Sequence, residues 1–304
     1  MAKRSRSVGL DPDVDFVEIA RNLSLYEFPW DTLQSLSLAL FRTYAVPAIG
    51  GLLDRTGAFM GATQKRYDDT GILLEVPLIE GFDTPRGRAA IRRINQMHHM
   101  YDIGNDDMRY VLATFVVVPR RWIADFGWRD LTDLEVRAVV RYYRELGRHL
   151  GIRDVPTTYD DFARLMDDYE AAHFAYDEGA ARVAASTLAL LRTFYPRPLR
   201  PLVDVVSRSL MEPELLAAFG LAEPGRVARR LARLALRLRA RFVALLPPRR
   251  RPQHVADMRR IRSYPDGYVV EEMGTFAPGC PVPHGAALQR SRDAGAAQAV
   301  GEGA

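Results

Sequence analysis

The sequence predicts an all-α fold, built as a single compact domain of about ten helices. Apolar residues recur at three- and four-residue spacing along the chain, and no strand-like alternation persists over several segments. Helix-start residues precede these runs, and Pro or Gly follows many of them. At 304 residues, of which 48% are apolar, the chain is long enough to bury a substantial core.

Two helices are expected in the first part of the chain. Asp11 followed by Pro12 is a favourable helix start, and this helix should reach about Phe28 before a proline interrupts it. Asp31 then caps a second helix, which Pro47 bends or ends.

The next two helices carry polar groups on otherwise apolar faces. They are expected from Thr63 to about Ile79 and from Thr84 to about Tyr101. Arg66 and Thr70 lie four residues apart, so both project from one side of the first of these helices.

His98 lies in line with Ile91, Ile94 and Tyr101, the apolar positions of the second helix. An imidazole on an apolar face is either a hydrogen-bonded core residue or a ligand. The residues alone leave both interpretations open, and the adjacent His99 is expected to face solvent.

The remainder of the chain also favours helices. VLATFVVV can form a buried strand, but the acidic residues before it and the lack of a partner strand favour a helix. Capping signals at Thr132, Thr158 and Asp177 begin three more helices. A long arginine-rich helix is expected from Gly225 to about Leu246, where Pro247 stops it.

These signals divide the chain into three parts. Residues 1–10 are expected to be disordered, and residues 11–246 to form the helical domain. Residues 247–304 are expected to be a basic tail rich in Pro, Gly and Ala, in which only SYPDGYVVEE resembles ordered structure.

Composition excludes several classes of protein. Cys280 is the only cysteine, so an intramolecular disulfide framework and a cysteine-built zinc or iron–sulfur site are excluded. No uncharged apolar run of about 18 residues predicts a transmembrane helix, and no apolar stretch follows the basic N-terminus as in a secretory signal. We therefore expect a cytoplasmic protein with no nucleic-acid partner.

The arginine-rich helix has two interpretations. It is either a helix packed on the core with a solvated arginine face, or a surface helix that makes peripheral membrane contact through residues 226–250. Leu231, Leu234, Leu236 and Leu238 spread too widely for a single stripe, which favours the first interpretation.

A second histidine motif predicts different chemistry. Glu170-Ala-Ala-His173 has the Glu-x-x-His spacing of carboxylate-bridged di-iron bundles. Such a site needs a second motif of the same kind, and Glu145 and His149 have a different spacing. The single motif is a minor alternative.

Several motifs in one order resemble a known family, the MpaB/rubber-oxygenase group built on the DUF2236 domain. The resemblance covers about residues 35–195 and is closer to the MpaB-like branch. Its motifs are Arg66-x-x-x-Thr70, Ile94-Asn95-x-x-His98, Asn105-Asp-Asp-Met108 with Tyr110, and Trp128-Arg129-x-Leu131-Thr132-Asp-Leu-Glu135.

The resemblance implies a haem b protein with a globin-like helical core and oxygenase activity. Members of the rubber branch use dioxygen to cleave isoprenoid carbon–carbon double bonds, and the fungal branch acts on a farnesyl-type side chain. By resemblance, His98 is the proximal ligand of the haem iron. Arg66 and Thr70 match the polar pair on the distal side, where pocket polarity decides what happens to dioxygen.

Two positions depart from the rubber enzymes. Asp69 stands where they have a distal lysine, and a carboxylate accepts a proton or holds water where an ammonium donates. The acidic residue of their preceding helix also has no equivalent, and Asp54 is only nearby. The resemblance therefore implies a smaller apolar, isoprenoid substrate in place of rubber.

The sequence thus predicts an oxygenase of haem b and dioxygen, with Arg66, Asp69 and Thr70 as catalytic residues. Two alternatives remain: a haem peroxidase or peroxygenase, and a non-catalytic haem- or lipid-binding protein associated with membranes.

Overall fold

The structure, a computed structural model, describes residues 5–57 and 61–274. No β-strand occurs in these two ranges, and the predicted all-α class is confirmed. In chain order the helices are α1 (Phe16–Arg21), α2 (Pro29–Tyr44), α3 (Pro47–Arg55), α4 (Thr63–Glu80), α5 (Pro85–His98), α6 (Asn105–Phe126), α7 (Asp133–His149), α8 (Tyr159–His173), α9 (Glu178–Thr193), α10 (Arg200–Ser209), α11 (Pro213–Ala218) and α12 (Arg226–Leu245).

The chain divides into two compact units, each made of two separate stretches. The first unit combines Met1–Thr63 with Gly104–His254, and the second combines Gln64–Ile103 with Val255–Ala304. This division differs from the expected 11–246 domain and 247–304 tail, because residues 255–274 bond to α4 and α5. We call residues 255–274 the C-terminal strap.

Most predicted helix starts agree with the structure. Thr132 and Glu135 form a reciprocal capping box at the start of α7. The side chains of Thr84, Thr158 and Asp177 accept from backbone N–H groups at the starts of α5, α8 and α9. VLATFVVV is helical within α6, as expected.

Three predicted boundaries are wrong. The first helix begins at Phe16, where the sequence predicted Asp11, and continues as a π-helical turn over Asn22–Glu27. The second helix begins at Pro29, before the expected cap at Asp31. Proline suits the first turn of a helix, because the N–H group that it lacks would have no helical partner there. The helix expected to reach Tyr101 ends at His98.

The N-terminal residues are more ordered than their composition suggested. The hydroxyl of Ser5 donates to the buried carboxylate of Glu135 at 2.6 Å, and Ser7 is buried. Residues 1–4 of the expected disordered segment, and Cys280 in the tail, lie outside the described residues.

The main core of the first unit lies among α2, α9 and α11. Phe41 and Tyr44 of α2 pack there with Val183 of α9 and Leu215 of α11. Helix α3 approaches α9 closely, because Gly50 has no side chain. A Cβ atom at that position would lie 2.6 Å from the Cβ of Ala180.

The second unit pairs α4 and α5 with the C-terminal strap. Gly81 adopts a φ of 91° just after α4, a conformation that glycine allows, and the chain then starts α5. Ile72, Leu73 and Val76 of α4 are buried, as are Ile91 and Ile94 of α5.

Among the described residues, no single helix is both long and apolar enough to cross a membrane. Only α2 and α3 taken together, bent by 95° at their junction, pass on length and composition.

Candidate active site

His98 is the last residue of α5. Its Nδ1 atom is buried and has no hydrogen-bond partner among the described residues. Burial, most of all, together with the positive charge of Arg66 and the neighbouring His99, lowers the pKa of His98 to about 4. The imidazole is therefore neutral at ordinary pH and can act as a ligand.

The sequence of α5 explains why His98 points inward. Ile91 and Ile94 are buried, and His98 follows them at helical spacing on the same stripe. His99, one residue further, is exposed, as expected. The stripe thus ends in a polar group on an apolar face.

Arg66 and Thr70 lie one turn apart on α4. Both are half-buried, and the Thr70 hydroxyl donates to the backbone carbonyl of Arg66 at 2.8 Å. The charge of Arg66 acts on the imidazole of His98. The structure therefore brings together Arg66 and His98, two residues that lie 32 positions apart in the sequence.

Asp69 lies in a different set of contacts from Arg66. Its carboxylate is buried, pairs with the Lys65 ammonium at 2.7 Å, and accepts a hydrogen bond from the hydroxyl of Tyr264. Lys65 also donates to the carbonyl of Gly274 at 3.1 Å. The negative charge of Asp69 is thus compensated by a lysine on its own helix and by the C-terminal strap.

The strap has further bonds along α4. Asp68 accepts from the backbone N–H groups of Arg262 and Ser263, at 3.0 and 2.9 Å. Glu75 accepts from the N–H of Val255 at 2.8 Å. Gly71 leaves room for this contact, because a Cβ atom there would lie 3.0 Å from the side chain of Val255.

Glu75 is a buried carboxyl that has no cationic partner among the described residues. The pKa of Glu75 is raised to about 7, mainly because the carboxyl is buried; the N–H of Val255 opposes this shift and the charge of Asp257 adds to it. The protein therefore holds a proton at this site up to near-neutral pH.

Sequence reasoning missed this polar network. The four-residue spacing of Lys65 and Asp69 was a usable signal for their ion pair. Tyr264 was not predictable as a partner, because 195 residues separate it from Asp69. Arg93 was also missed: it is buried and donates to the carbonyl of Met273 at 2.8 Å.

Two other described histidines, His149 and His173, differ from His98 because their ring nitrogens lie close to polar groups. His149 lies beside Glu145, with 3.3 Å between Nε2 and a carboxylate oxygen. His173 is exposed, stacks on Tyr169, and has Nδ1 2.8 Å from a backbone carbonyl. His254, in the first unit, also has a buried Nδ1 atom without a partner among the described residues, a feature that its place in the basic tail did not suggest.

The carboxylate of Glu170 is bonded to other side chains. It accepts a bidentate pair from Arg42 and a hydrogen bond from Tyr110. Asp54, the acid near the expected place on α3, pairs with Arg182 at 2.6 Å. The described residues contain no group of three or more His, Cys, Asp or Glu side chains arranged for a metal ion.

The fold and the site together define a class: an all-helical protein in which a neutral imidazole, with a buried Nδ1 atom, lies near the charge of an arginine. The chain belongs to the family described as "ER-bound oxygenase mpaB/B'/Rubber oxygenase, catalytic domain", whose model matches residues 32–244.

Known relatives agree with this membership. The chain is 32% identical over 218 residues to the ER-bound oxygenase mpaB' of Penicillium brevicompactum, covering 66% of this chain and 52% of the relative. It is 33% identical over 191 residues to the ER-bound oxygenase mpaB of the same organism, covering 57% and 49%. The chain spans about half the length of these two relatives.

A solved structure shares the fold. The structure of latex clearing protein in the closed state matches with a TM-score of 0.57 over 80% of this chain and 71% of that chain. The two sequences are 16% identical, so the likeness concerns the fold alone.

Proposed function

We propose that the protein is a haem b-dependent oxygenase that uses dioxygen to cleave carbon–carbon double bonds of an apolar, isoprenoid substrate. The observation that carries this proposal is the buried, neutral imidazole of His98 within reach of the charge of Arg66. Membership of an oxygenase family supports it.

The residues at the site fit a haem. His98 would be the proximal ligand. Its buried Nδ1 atom has no hydrogen bond to any described residue, and the imidazole is neutral at neutral pH. Arg66 would hold an anionic group, such as a haem propionate. When bound, haem supplies the redox-active iron on which dioxygen chemistry depends.

The chain's own residues set the polarity of the pocket. Arg66 stabilises negative charge that develops nearby, and the Thr70 hydroxyl can leave the Arg66 carbonyl and donate to a bound oxygen-containing group. Ile91, Ile94 and Leu73 of the same two helices are buried and would supply apolar surface that suits an apolar substrate.

For Asp69 we propose a positioning role. Its bonds to Lys65 and Tyr264 fix the side of α4 that lies next to Arg66 and Thr70. Lys65 thus lies one turn before the position where the rubber enzymes have their lysine, and its ammonium neutralises Asp69.

The absorption spectrum of the haem-loaded protein tests the ligand assignment. The full chain should show a Soret band, and His98→Ala should lose it or weaken it greatly with helical content unchanged. His99→Ala and His254→Ala are matched controls and should keep the band. Exogenous imidazole should restore the band in His98→Gly. A Soret band that persists in His98→Ala, or that is lost in His254→Ala, contradicts the assignment.

Oxygen consumption tests the reaction. The haem-loaded protein should consume dioxygen with a polyprenoid substrate and release carbonyl-ended fragments. Turnover with hydrogen peroxide alone would favour the peroxidase alternative. Haem binding without turnover under either condition would favour a non-catalytic binder.

A further inference from the structure

Helix α12 carries an apolar stripe on its solvent side. The side chains of the stripe are 50–85% exposed and are spaced four, three, four, four and three residues apart: Val227, Leu231, Leu234, Leu238, Phe242 and Leu245. At 100° per residue they all fall within about 80° of arc, and they extend about 27 Å along the helix. An exposed apolar surface of this length marks a site of interaction.

The opposite face of α12 attaches the helix to the first unit. Ala232 and Ala240 are buried, and Leu236 packs against the cluster that contains Trp122 and Phe126. The leucines that seemed too widely spread therefore separate into two groups. Leu236 faces the core, whereas Leu231, Leu234 and Leu238 belong to the outward stripe.

The arginines of α12 also separate into two groups. Three of them anchor the helix: Arg229 donates to the carbonyl of Met211, Arg233 pairs with Asp125, and Arg239 pairs with Asp31. Arg239 also lies over the ring of Trp30 at 3.8 Å.

Four other arginines point away from the first unit. They are exposed and make no hydrogen bond or ion pair with any described residue: Arg226, Arg230, Arg237 and Arg241. On the helix they lie along one flank of the apolar stripe. No acidic residue occurs between Glu223 and Asp257, and three more exposed arginines follow at 249–251.

We propose that α12 docks on an anionic lipid bilayer, with the stripe inserted at the headgroup–acyl boundary and the four outward arginines among the lipid phosphates. An apolar face flanked by cations is the composition of a helix that lies in a membrane interface. The docking needs no ligand in the His98 pocket. Vesicle binding therefore tests it independently of the proposed oxygenase activity.

Two other occupants suit this surface less well. A second copy of the chain would bring two rows of arginines together, and like charges at an interface oppose association. Nucleic acid would match the arginines but would leave the six apolar side chains without a partner, because binding there depends on phosphate contacts.

Co-sedimentation of the full chain with vesicles tests the proposal. The protein should bind phosphatidylcholine vesicles that contain phosphatidylserine, bind pure phosphatidylcholine much less, and dissociate as salt screens the charges. Arg230→Gln/Arg241→Gln should weaken binding about 30-fold, because each arginine near an anionic surface contributes about a factor of five. Leu231→Ser/Leu238→Ser should weaken it by at least about tenfold.

Matched controls lie elsewhere on the surface. Val8→Ser/Val14→Ser removes two side chains of comparable exposure, and Arg153→Gln/Arg197→Gln removes the same charge. Both should bind vesicles like the unchanged protein. Equal binding by all variants, or no binding by the unchanged protein, overturns the proposal. A wild-type oligomer that ignores vesicles and dissociates in Leu231→Ser/Leu238→Ser would show that the stripe joins two copies.

Discussion

At Glu75, burial and ionisation oppose each other. The residue is 5% exposed, its carboxyl lies near Asp257, and among the described residues its hydrogen-bond donor is the neutral backbone N–H of Val255. Its pKa is about 7, against an ordinary value of 4.5. The folded protein therefore keeps a proton that the unfolded chain releases, and stability falls as pH rises from about 4.5 through about 7.

Glu75→Gln should remove this pH dependence. The amide oxygen can still accept from Val255, but no charge needs to be buried at high pH. The variant should gain up to about 3 kcal/mol over the unchanged protein at pH 8 and little at pH 5. Urea unfolding at the two pH values measures the difference. Glu80→Gln, at the half-exposed Glu80–Arg86 pair of the same helix, should leave the pH dependence unchanged. A gain of equal size at both pH values would contradict the buried-proton explanation.

The candidate site shows how far single residues can be predicted. His98 was recognisable because a polar group interrupts a periodic apolar stripe, and Arg66 and Thr70 because four residues make one helical turn. Neither pattern indicates which helices pack against each other. The effect of the Arg66 charge on His98 depends on how α4 and α5 pack. One of the two partners of Asp69, Tyr264, comes from a segment nearly two hundred residues later.

At the scale of elements, helix starts that have a side-chain cap were predicted better than boundaries without one. Caps at Thr132, Thr158 and Asp177 are side-chain hydrogen bonds to the next turn, so three or four residues contain all the information. No short sequence signal of this kind indicates the π-helical turn at Asn22–Glu27 or the end of α5 at His98. Both depend on packing.

A buried ion pair joins α2 to α8. Arg42 and Glu170 are about 10% and 8% exposed, and Tyr110 of α6 donates to the same carboxylate. Burial alone would lower the pKa of Arg42, but the hydrogen bonds and charges of Glu170 and Glu212 raise it. The charge of Arg42 is tolerated in this core because two carboxylates compensate it.

Removal of the two carboxylates should have unequal effects. Glu170→Gln leaves a buried guanidinium with one partner and should cost about 3–5 kcal/mol of unfolding free energy. Glu212→Gln removes the same charge from a side chain that is 52% exposed and should cost less than about 1 kcal/mol. Denaturant unfolding of both variants measures the difference. Equal costs would show that Arg42 is less buried than the structure indicates.

At the scale of the whole molecule, composition misrepresents the C-terminal strap. The strap belongs to a C-terminal region rich in Pro, Gly and Ala and has little regular structure, yet it compensates buried polar groups of α4 and α5. Its backbone satisfies Asp68, Glu75 and Arg93, and its Tyr264 satisfies Asp69. Within the strap, SYPDGYVVEE resembled ordered structure in the sequence. No sequence pattern indicated the partners of the strap, because most of its bonds are made by backbone groups.

Two truncations should therefore differ sharply. A chain that ends at His254 loses every strap bond and leaves Asp68, Asp69 and Arg93 buried without these partners, a situation that costs several kcal/mol for each charge. Amide hydrogens of α4 and α5 should then exchange much faster, and protease should cut within residues 64–103. A chain that ends at Gly274 keeps all of these bonds and should match the full chain in both measurements. Slow exchange in α4 and α5 after truncation at His254 would show that the two helices are stable without the strap. Helix packing alone would then position the pocket residues Arg66 and His98.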